Sequence, residues 1–172
     1  MSIYYSFLNV FPNQVFPKGT RLLLLSSENN MCGIYVIGQK YIPKICPAWT
    51  EKKTNPFLQE AAHQLLAYFS GKRKQFAIPY KLNGTLFQKK IWHQLSTVPY
   101  GDQISYKELA NSFVTKQPIR PLANAIAKNP LLFLLPCHRI IGSDGSLKGF
   151  SAGLATKQRL LRLEKKNKPL IS

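Results

Sequence analysis

The sequence lacks long uninterrupted apolar runs. Its apolar clusters, such as Leu22–Leu25 and Leu131–Leu135, are far shorter than the roughly 20 residues that a membrane-spanning helix needs. No compact apolar stretch follows an N-terminal basic residue, since the first basic residue is Lys18, so we expect no signal peptide. We therefore expect a protein with no membrane partner, located in the cytoplasm, or in the nucleus if the source is eukaryotic.

Cysteine is also scarce. Three cysteines, Cys32, Cys46 and Cys137, form an odd and widely spaced set, which argues against a disulfide framework and favours a reducing compartment. Cys32, Cys46 and His63 lack the close paired spacing of a four-ligand zinc site. We accordingly expect no structural metal and no cofactor.

Acidic residues are the third shortage. Asp and Glu total 7 against 24 Lys and Arg, which gives a formal net charge of +17. Such a charge indicates partners rather than fold, and nucleic acid is the leading candidate because neutralised phosphates release counterions. An anionic membrane ranks lower, since no long basic amphipathic helix with a broad apolar face is present. A merely basic protein remains an open alternative.

The first part of the chain predicts a small sheet with one helix. Arg21–Ser26 and Cys32–Ile37 are apolar segments joined by a polar turn, which is typical of two paired strands. Asn55-Pro56 then opens a helix, with Asn as the N-cap, and Gly71 closes it. Residues 72 to 83 are basic and predict a connection, so we assign residues 1–80 to an N-terminal module.

The second part predicts a series of helices. Thr85 with Gln88, and Ser105 with Glu108, each match a capping box. Another helix begins at Arg120 and stops before Asn129-Pro130, and a last helix covers roughly 156–165. Two short helices joined by a loop in a basic chain suggest a helix-turn-helix, which we place in a domain of residues 81–172.

Cys137 has a context that favours reactivity. The strand-like run Leu131–Leu135 leads into it, and His138 and Arg139 follow. A positive neighbour and a nearby base favour the thiolate, which is the nucleophilic form. Adjacent residues of an extended segment point in opposite directions, so His138 could act on Cys137 through a bridging water. A lone cysteine is otherwise most often a small buried apolar residue.

The candidate recognition helix carries small side chains. Residues 121 to 128 include three alanines, and Lys128 is the only long polar residue among them. Small side chains permit close approach to a groove but read little sequence, which suits a protein that searches DNA for damage. Ordinary packing by alanines explains the same segment equally well.

Several linked motifs between residues 84 and 164 resemble one family. These motifs are Gly84-Thr85-Leu86-Phe87-Gln88 with Trp92, Ile104-Ser105-Tyr106, Asn129-Pro130, Leu135-Pro136-Cys137-His138-Arg139-Ile140-Ile141-Gly142 and Gly149-Phe150-Ser151-Ala152-Gly153-Leu154. They are similar to the C-terminal domain of the 6-O-alkylguanine-DNA alkyltransferases, also called methylated-DNA–protein-cysteine methyltransferases. The first 80 residues resemble the N-terminal module of that family more loosely.

The resemblance implies a fold and a reaction. The fold is α/β, with a small N-terminal module that contains a short antiparallel sheet and a helix, and a mostly helical C-terminal domain that contains a helix-turn-helix. The reaction is single-turnover repair of double-stranded DNA, in which an alkyl group moves from the 6-oxygen of guanine to Cys137. We expect the protein to act as a monomer.

The resemblance also implies individual roles. His138 removes the thiol proton through a water and is oriented by Glu164, while Asn129 lies in the turn between the recognition helix and the active-site strand. Tyr106 donates a hydrogen bond to the purine as the oxygen leaves. A further set is expected to contact the flipped base or the DNA: Arg120 in the base stack, Ser151 and Phe150 at the pocket, and Arg139, Ala123, Asn124 and Lys128.

Four positions depart from the family pattern without removing a reacting atom: Pro121, Asn124, Phe150 and Ala152. Phe150 removes a hydroxyl from the pocket rim, and Ala152 narrows the room for bulky alkyl groups. Two other functions stay open. One is a DNA-binding module without chemistry, against which Cys137 argues, and the other is a cysteine hydrolase, which would leave the charge of +17 unexplained.

Overall fold

The computed structural model describes residues 2–168 and divides into two compact units. Unit 1 comprises the residues up to Asn83 together with Pro130–Leu132, and unit 2 comprises Gly84–Asn129 and the residues from Phe133 onward. A domain boundary between residues 80 and 81 stays a prediction. Within the described residues, no helix is both long and apolar enough to cross a membrane.

Unit 1 is built on a four-stranded sheet. Its strands are β1 (Tyr4–Val10), β2 (Thr20–Ser26), β3 (Met31–Val36) and β4 (Thr50–Glu51), in the spatial order β3-β2-β1-β4. The β1–β2 and β2–β3 pairs are antiparallel, and the short β4 runs parallel to β1. The predicted strands correspond to β2 and β3. Sequence reasoning missed β1, in which polar and aromatic residues follow no clear alternation.

Helix α1 (Pro56–Phe69) packs its apolar face in unit 1, as its sequence predicts. The Asn55 side chain accepts hydrogen bonds from the backbone amides of Phe57 (2.9 Å) and Leu58 (3.2 Å), which satisfies two otherwise unpaired donors. The buried positions recur at helical spacing and end in Tyr68 and Phe69, whose side chains are at most 1% exposed. The helix therefore covers the sheet rather than standing in solvent.

The apolar run 131–135 does not form the continuous strand that its composition suggests. The Ile34 amide donates to the Pro130 carbonyl (2.8 Å), and the Leu132 amide donates to the Ile34 carbonyl (3.3 Å). Phe133 then turns the chain with a φ of 74°, a left-handed conformation that a strand cannot accommodate. The chain thus pairs briefly beside β3 and turns before it reaches Cys137.

Unit 2 is mainly helical. Its helices are α2 (Leu86–Leu95), α3 (Tyr106–Asn111), α4 (Ile119–Ala127) and α5 (Leu154–Lys166). Both predicted capping boxes are present, at Thr85 with Gln88 and at Ser105 with Glu108. Helices α3 and α4 form the helix-turn-helix, and α4 starts one residue earlier than predicted. A two-residue parallel pair, β5 (Ile104–Ser105) with β6 (Ile140–Ile141), completes the unit.

Candidate active site

Cys137 lies at the start of a short 3₁₀ turn (Cys137–Arg139) and is 4% exposed. Asn129, which follows α4, reaches this turn with its side-chain amide. Its Nδ2 donates to the Leu135 carbonyl (2.7 Å) and to the Cys137 Sγ (3.2 Å). Asn129 thus ties the end of the helix-turn-helix to the thiol. The active-site strand expected beside it is absent, because the chain turns at Phe133.

Glu164 of α5 holds a fully buried hydrogen-bond cluster. Its carboxylate lies 2.9 Å from Nε2 of His138 and accepts from Nε (2.9 Å) and Nη2 (2.8 Å) of Arg139. The backbone amide of Gly101 donates to it as well, at 3.1 Å. Several donors therefore converge on one carboxylate that has no exposed surface.

The cluster fixes the protonation states of His138 and Glu164. Burial lowers the pKa of His138 more than the Glu164 carboxylate raises it, so the imidazole is neutral at pH 7. Burial alone would raise the pKa of Glu164, but contacts with His138 and Arg139 outweigh it and lower that pKa. Because an ionised carboxylate only accepts, His138 carries its proton on Nε2 and presents Nδ1 as the basic nitrogen.

The Cys137 thiol is protonated in the resting protein. Burial raises its pKa, whereas the Asn129 hydrogen bond and the charge of Lys157 act in the opposite direction. Formation of the thiolate therefore needs a base, and neutral His138 is the next residue. Because both residues lie in a 3₁₀ turn, the expectation that they point in opposite directions, which assumed an extended segment, does not apply.

The predicted contact of Arg139 with DNA finds no support in the structure. Its guanidinium is 9% exposed, and the group donates to Glu164 and, through Nη1, to the Val98 carbonyl (2.6 Å). Each nitrogen of the guanidinium donates a hydrogen bond inside the unit, and the group has little exposed surface for a phosphate or a base. Arg139 is therefore the counter-charge of Glu164. The positive charge that acts on the Cys137 thiol belongs to another residue.

That positive charge belongs to Lys157, which sequence reasoning missed. The side chain has no exposed surface, and its ammonium donates to the carbonyls of Ile140 (2.5 Å) and Lys148 (2.7 Å). Burial lowers the pKa of Lys157 to about 8, while the negative charge that Cys137 can carry raises it. A sequence signal was available, because positions 157, 160, 161 and 164 share one helical face with otherwise buried residues.

Tyr106 lines a pocket of about 390 Å³ in unit 2. Other residues of its wall are Ile119, Ala123, Ala127, Gly142, Ser143, Lys148 and Gly149. The Tyr106 hydroxyl donates to the Lys148 carbonyl (3.4 Å), and its pKa is raised by burial and by the charge of Cys137. At neutral pH the hydroxyl therefore keeps its proton and can donate a hydrogen bond in this pocket.

The structure brings some of the other predicted residues to this site. The ring of Phe150 packs edge-on against His138, with centroids 6.3 Å apart, and Ser151 is half-buried in the turn before α5. Arg120 and Asn124 on α4 and Lys128 at its C-cap are exposed, while Ala123 is half-buried against the pocket. The helix thus presents its polar side chains outward and its small ones toward the pocket.

The remaining cysteines belong to unit 1. Cys32 is buried in the sheet and Cys46 is exposed. Over residues 2–168, no three His, Cys, Asp or Glu side chains are grouped so that they could hold a metal ion. The expectation that the protein carries no structural zinc stays a prediction.

Comparisons with known proteins match both halves of the chain. The family described as 6-O-methylguanine DNA methyltransferase, ribonuclease-like domain, matches residues 3–82, and the DNA binding domain of the same enzyme family matches residues 86–166. A methylated-DNA–protein-cysteine methyltransferase of Methanosarcina barkeri is 42% identical over 147 residues, which cover 85% of this chain and 91% of the relative.

A second relative and a solved structure agree with these matches. The methylated-DNA–protein-cysteine methyltransferase of Haemophilus influenzae is 36% identical over 95% of this chain and 87% of its own length. The crystal structure of a Mycobacterium tuberculosis OGT in complex with DNA superposes with a TM-score of 0.81 at 30% identity, covering 96% of this chain and 95% of that one.

Proposed function

The chain belongs to the methylated-DNA–protein-cysteine methyltransferase family, and from that membership we propose that it repairs DNA by transferring an alkyl group from the 6-oxygen of guanine to Cys137. The observation that carries the assignment of Cys137 is its place in the buried network. Its sulfur accepts from Asn129, and the adjacent His138 is held by Glu164. Among the residues that the structure describes, neither Cys32 nor Cys46 has such partners.

The proposed transfer is a displacement at saturated carbon. The Cys137 proton passes through a water to Nδ1 of His138, and the thiolate attacks the methyl carbon. The new C–S bond takes its electron pair from sulfur, and the pair of the broken C–O bond stays on the guanine. The guanine takes up one proton from water, and His138 returns the thiol proton to solvent, so that the protons balance. Tyr106, and Ser151 in the turn before α5, donate hydrogen bonds that stabilise the developing negative charge.

DNA is the proposed macromolecular partner, and residues 81–172 are the proposed DNA-binding and acceptor domain. The target atom is buried in the duplex, so the nucleotide must be flipped into the pocket beside Tyr106 at a cost of a few kcal/mol. Arg120 is exposed at the start of α4 and is placed to fill the gap in the base stack. Asn124 and Lys128 contact the sugar-phosphate backbone of the DNA, and the small side chain of Ala123 lets the helix approach the groove closely. We propose that the protein acts as a monomer in the compartment that holds the DNA.

Product stoichiometry tests this function. The thioether formed on Cys137 has no carbonyl that water can attack and no good leaving group, so each molecule reacts once. With excess methylated duplex, product should stop near one equivalent per active protein. Peptide mapping should place one added methyl group on Cys137, with the exposed Cys46 unmodified as an internal control. Linear turnover past one equivalent would indicate a hydrolase instead, and binding without transfer would indicate a DNA-binding module.

A further inference from the structure

The outward face of α5 is strongly basic. Arg162, Lys165 and Lys166 are exposed, and Arg159 is half-buried. At 3.6 residues per turn, Arg159, Arg162 and Lys166 lie within about 60° of one another around the helix and span roughly 10 Å along it. These three cations therefore form one row, which we call the α5 ridge.

No carboxylate neutralises the α5 ridge. Glu164 is the only acidic residue of α5, and it is buried and bound to His138 and Arg139. Among residues 2–168, no ion pair includes a residue of the ridge. The helix thus presents a concentrated positive charge to the solvent, and such a charge attracts a polyanion.

The α5 ridge lies on a different element from the helix-turn-helix. Helix α5 packs on the 3₁₀ turn, where Glu164 contacts His138, whereas α4 packs on α2 and α3. The residues that line the pocket come from α3, α4 and the loop 142–149. Helix α4 has one basic residue within its bounds, Arg120, and Lys128 at its C-cap. The larger positive charge therefore lies outside the helix that is proposed to hold the damaged nucleotide.

We propose that the α5 ridge binds the phosphates of a second DNA segment while the helix-turn-helix holds the first. This inference rests on the proposed function, since it presupposes a duplex at α4. A protein with two such surfaces passes from one segment to another without entering free solution. Phosphate contacts carry no sequence information, so this transfer works at any position of the DNA and suits a search for rare damaged bases.

An anionic membrane fits the α5 ridge less well than DNA does. A helix that lies on a membrane buries an apolar face at the boundary of the lipid chains. The apolar face of α5, which includes Leu160, Leu161 and Leu163, is buried inside unit 2 instead. Only the cationic side is presented, and a row of cations complements a duplex, which carries one phosphate for about every 1.7 Å of its axis.

Two triple variants with the same loss of charge separate the ridge from general electrostatics. The ridge variant is Arg159→Gln, Arg162→Gln and Lys166→Gln. The matched control changes three exposed lysines of unit 1: Lys18→Gln, Lys44→Gln and Lys74→Gln. Circular dichroism melts establish that both fold. If the ridge variant does not fold, the double variant at the exposed Arg162 and Lys166 takes its place.

A sandwich assay measures the binding of a second duplex. An unmethylated duplex of about 20 bp, roughly two helical turns, is immobilised, saturated with protein and washed. A fluorescent duplex of the same sequence is then titrated over it at several salt concentrations. Because no alkylated base is present, retention of the label reports on bridging of two duplexes and not on transfer.

We expect the wild type and the control to retain the fluorescent duplex and the ridge variant to lose it. Three phosphate contacts give a salt slope of about −2.7, so the affinity of the wild type for the second duplex should fall about 40-fold between roughly 50 and 200 mM salt.

Retention by the ridge variant that equals that of the control overturns the inference, and so does a wild type that stays on the immobilised duplex but retains no second one. Sedimentation with phosphatidylserine vesicles that the ridge variant alone loses, with bridging unchanged, would assign the ridge to a membrane and also overturn it. A wild-type protein that binds no duplex at all, methylated or not, would instead defeat the proposed function.

Discussion

Replacing Glu164 by Gln should destabilise unit 2 severely, because one amide oxygen cannot serve the donors that meet at this carboxylate. His138, Arg139 and Gly101 all contact it, and it is fully buried. Gln keeps the shape of Glu but turns an NH₂ group toward other donors and leaves a buried guanidinium without a counter-charge. Breaking a buried ion pair in this way costs roughly 3–5 kcal/mol.

The loss can be measured by urea unfolding with a site-specific reporter. The chain has two tryptophans, and Trp92 is buried in unit 2, where its Nε1 donates to the Ala125 carbonyl (2.8 Å). In a Trp49→Phe background, tryptophan fluorescence therefore reports on unit 2. In a thermal melt followed by the same fluorescence, the melting temperature should fall by roughly 6–20 °C, at about 2–4 °C for each kcal/mol of lost stability in a chain of this size. The control Glu28→Gln changes an exposed carboxylate and should stay within about 0.5 kcal/mol of the wild type.

The pH dependence gives a second criterion. The pKa of Glu164 is lower in the folded protein than in the unfolded chain, so the unfolded state binds the proton more readily. The stabilisation is thus complete above the unfolded pKa of about 4.3 and is lost as the pH falls through the folded value. The gap between wild type and Glu164→Gln should shrink below about pH 4. A variant within about 1 kcal/mol of the wild type at pH 7, or a gap that acid leaves unchanged, would refute the reasoning.

Three further outcomes are expected. Cys137→Ala should abolish transfer and leave duplex affinity nearly unchanged in a filter-binding assay, since affinity depends on phosphate contacts; residual transfer would identify Cys32 or Cys46 as the acceptor. Arg120→Ala should slow repair of duplex DNA more than reaction with the free methylated base, because only the duplex needs a flipped nucleotide, and equal losses would place Arg120 in the pocket or in folding. Asn129→Ala should cost about 0.5–1.5 kcal/mol in urea unfolding, because the buried Leu135 carbonyl loses one of its two donors and keeps the Cys137 amide, and an unchanged midpoint would contradict that role.

Local signals explain what the sequence predicted of the fold. The N-cap at Asn55 and the capping boxes at Thr85 and Ser105 use contacts within four residues, so the sequence contains all the information that they need. The β5–β6 pair could not be predicted from the sequence. It joins only two residues of each strand, Ile104–Ser105 with Ile140–Ile141, and neither segment has a strand pattern of its own.

The site shows the same division between local and distant information. Cys137 and His138 are adjacent, and their chemistry is visible in the sequence. Whether Arg139 is buried depends on its contact with Glu164, which lies 25 residues further along the chain. Lys157 is partly similar, because its position on the buried face of α5 could have singled it out, but its contacts with the carbonyls of Ile140 and Lys148 are visible only in the structure. Tertiary contacts assign these two roles, and composition cannot.

The left-handed turn at Phe133 links reactivity to the interior of the protein. A non-glycine residue at a φ of 74° costs about 1–2 kcal/mol, and this one is held by a ring that is 1% exposed. Packing around the ring therefore sets the path of the backbone toward Leu135 and Cys137. Core substitutions that loosen the ring would let the chain relax and pull the Leu135 carbonyl from Asn129. The orientation of the nucleophile is thus maintained by a buried hydrophobic side chain as well as by the polar groups around the thiol.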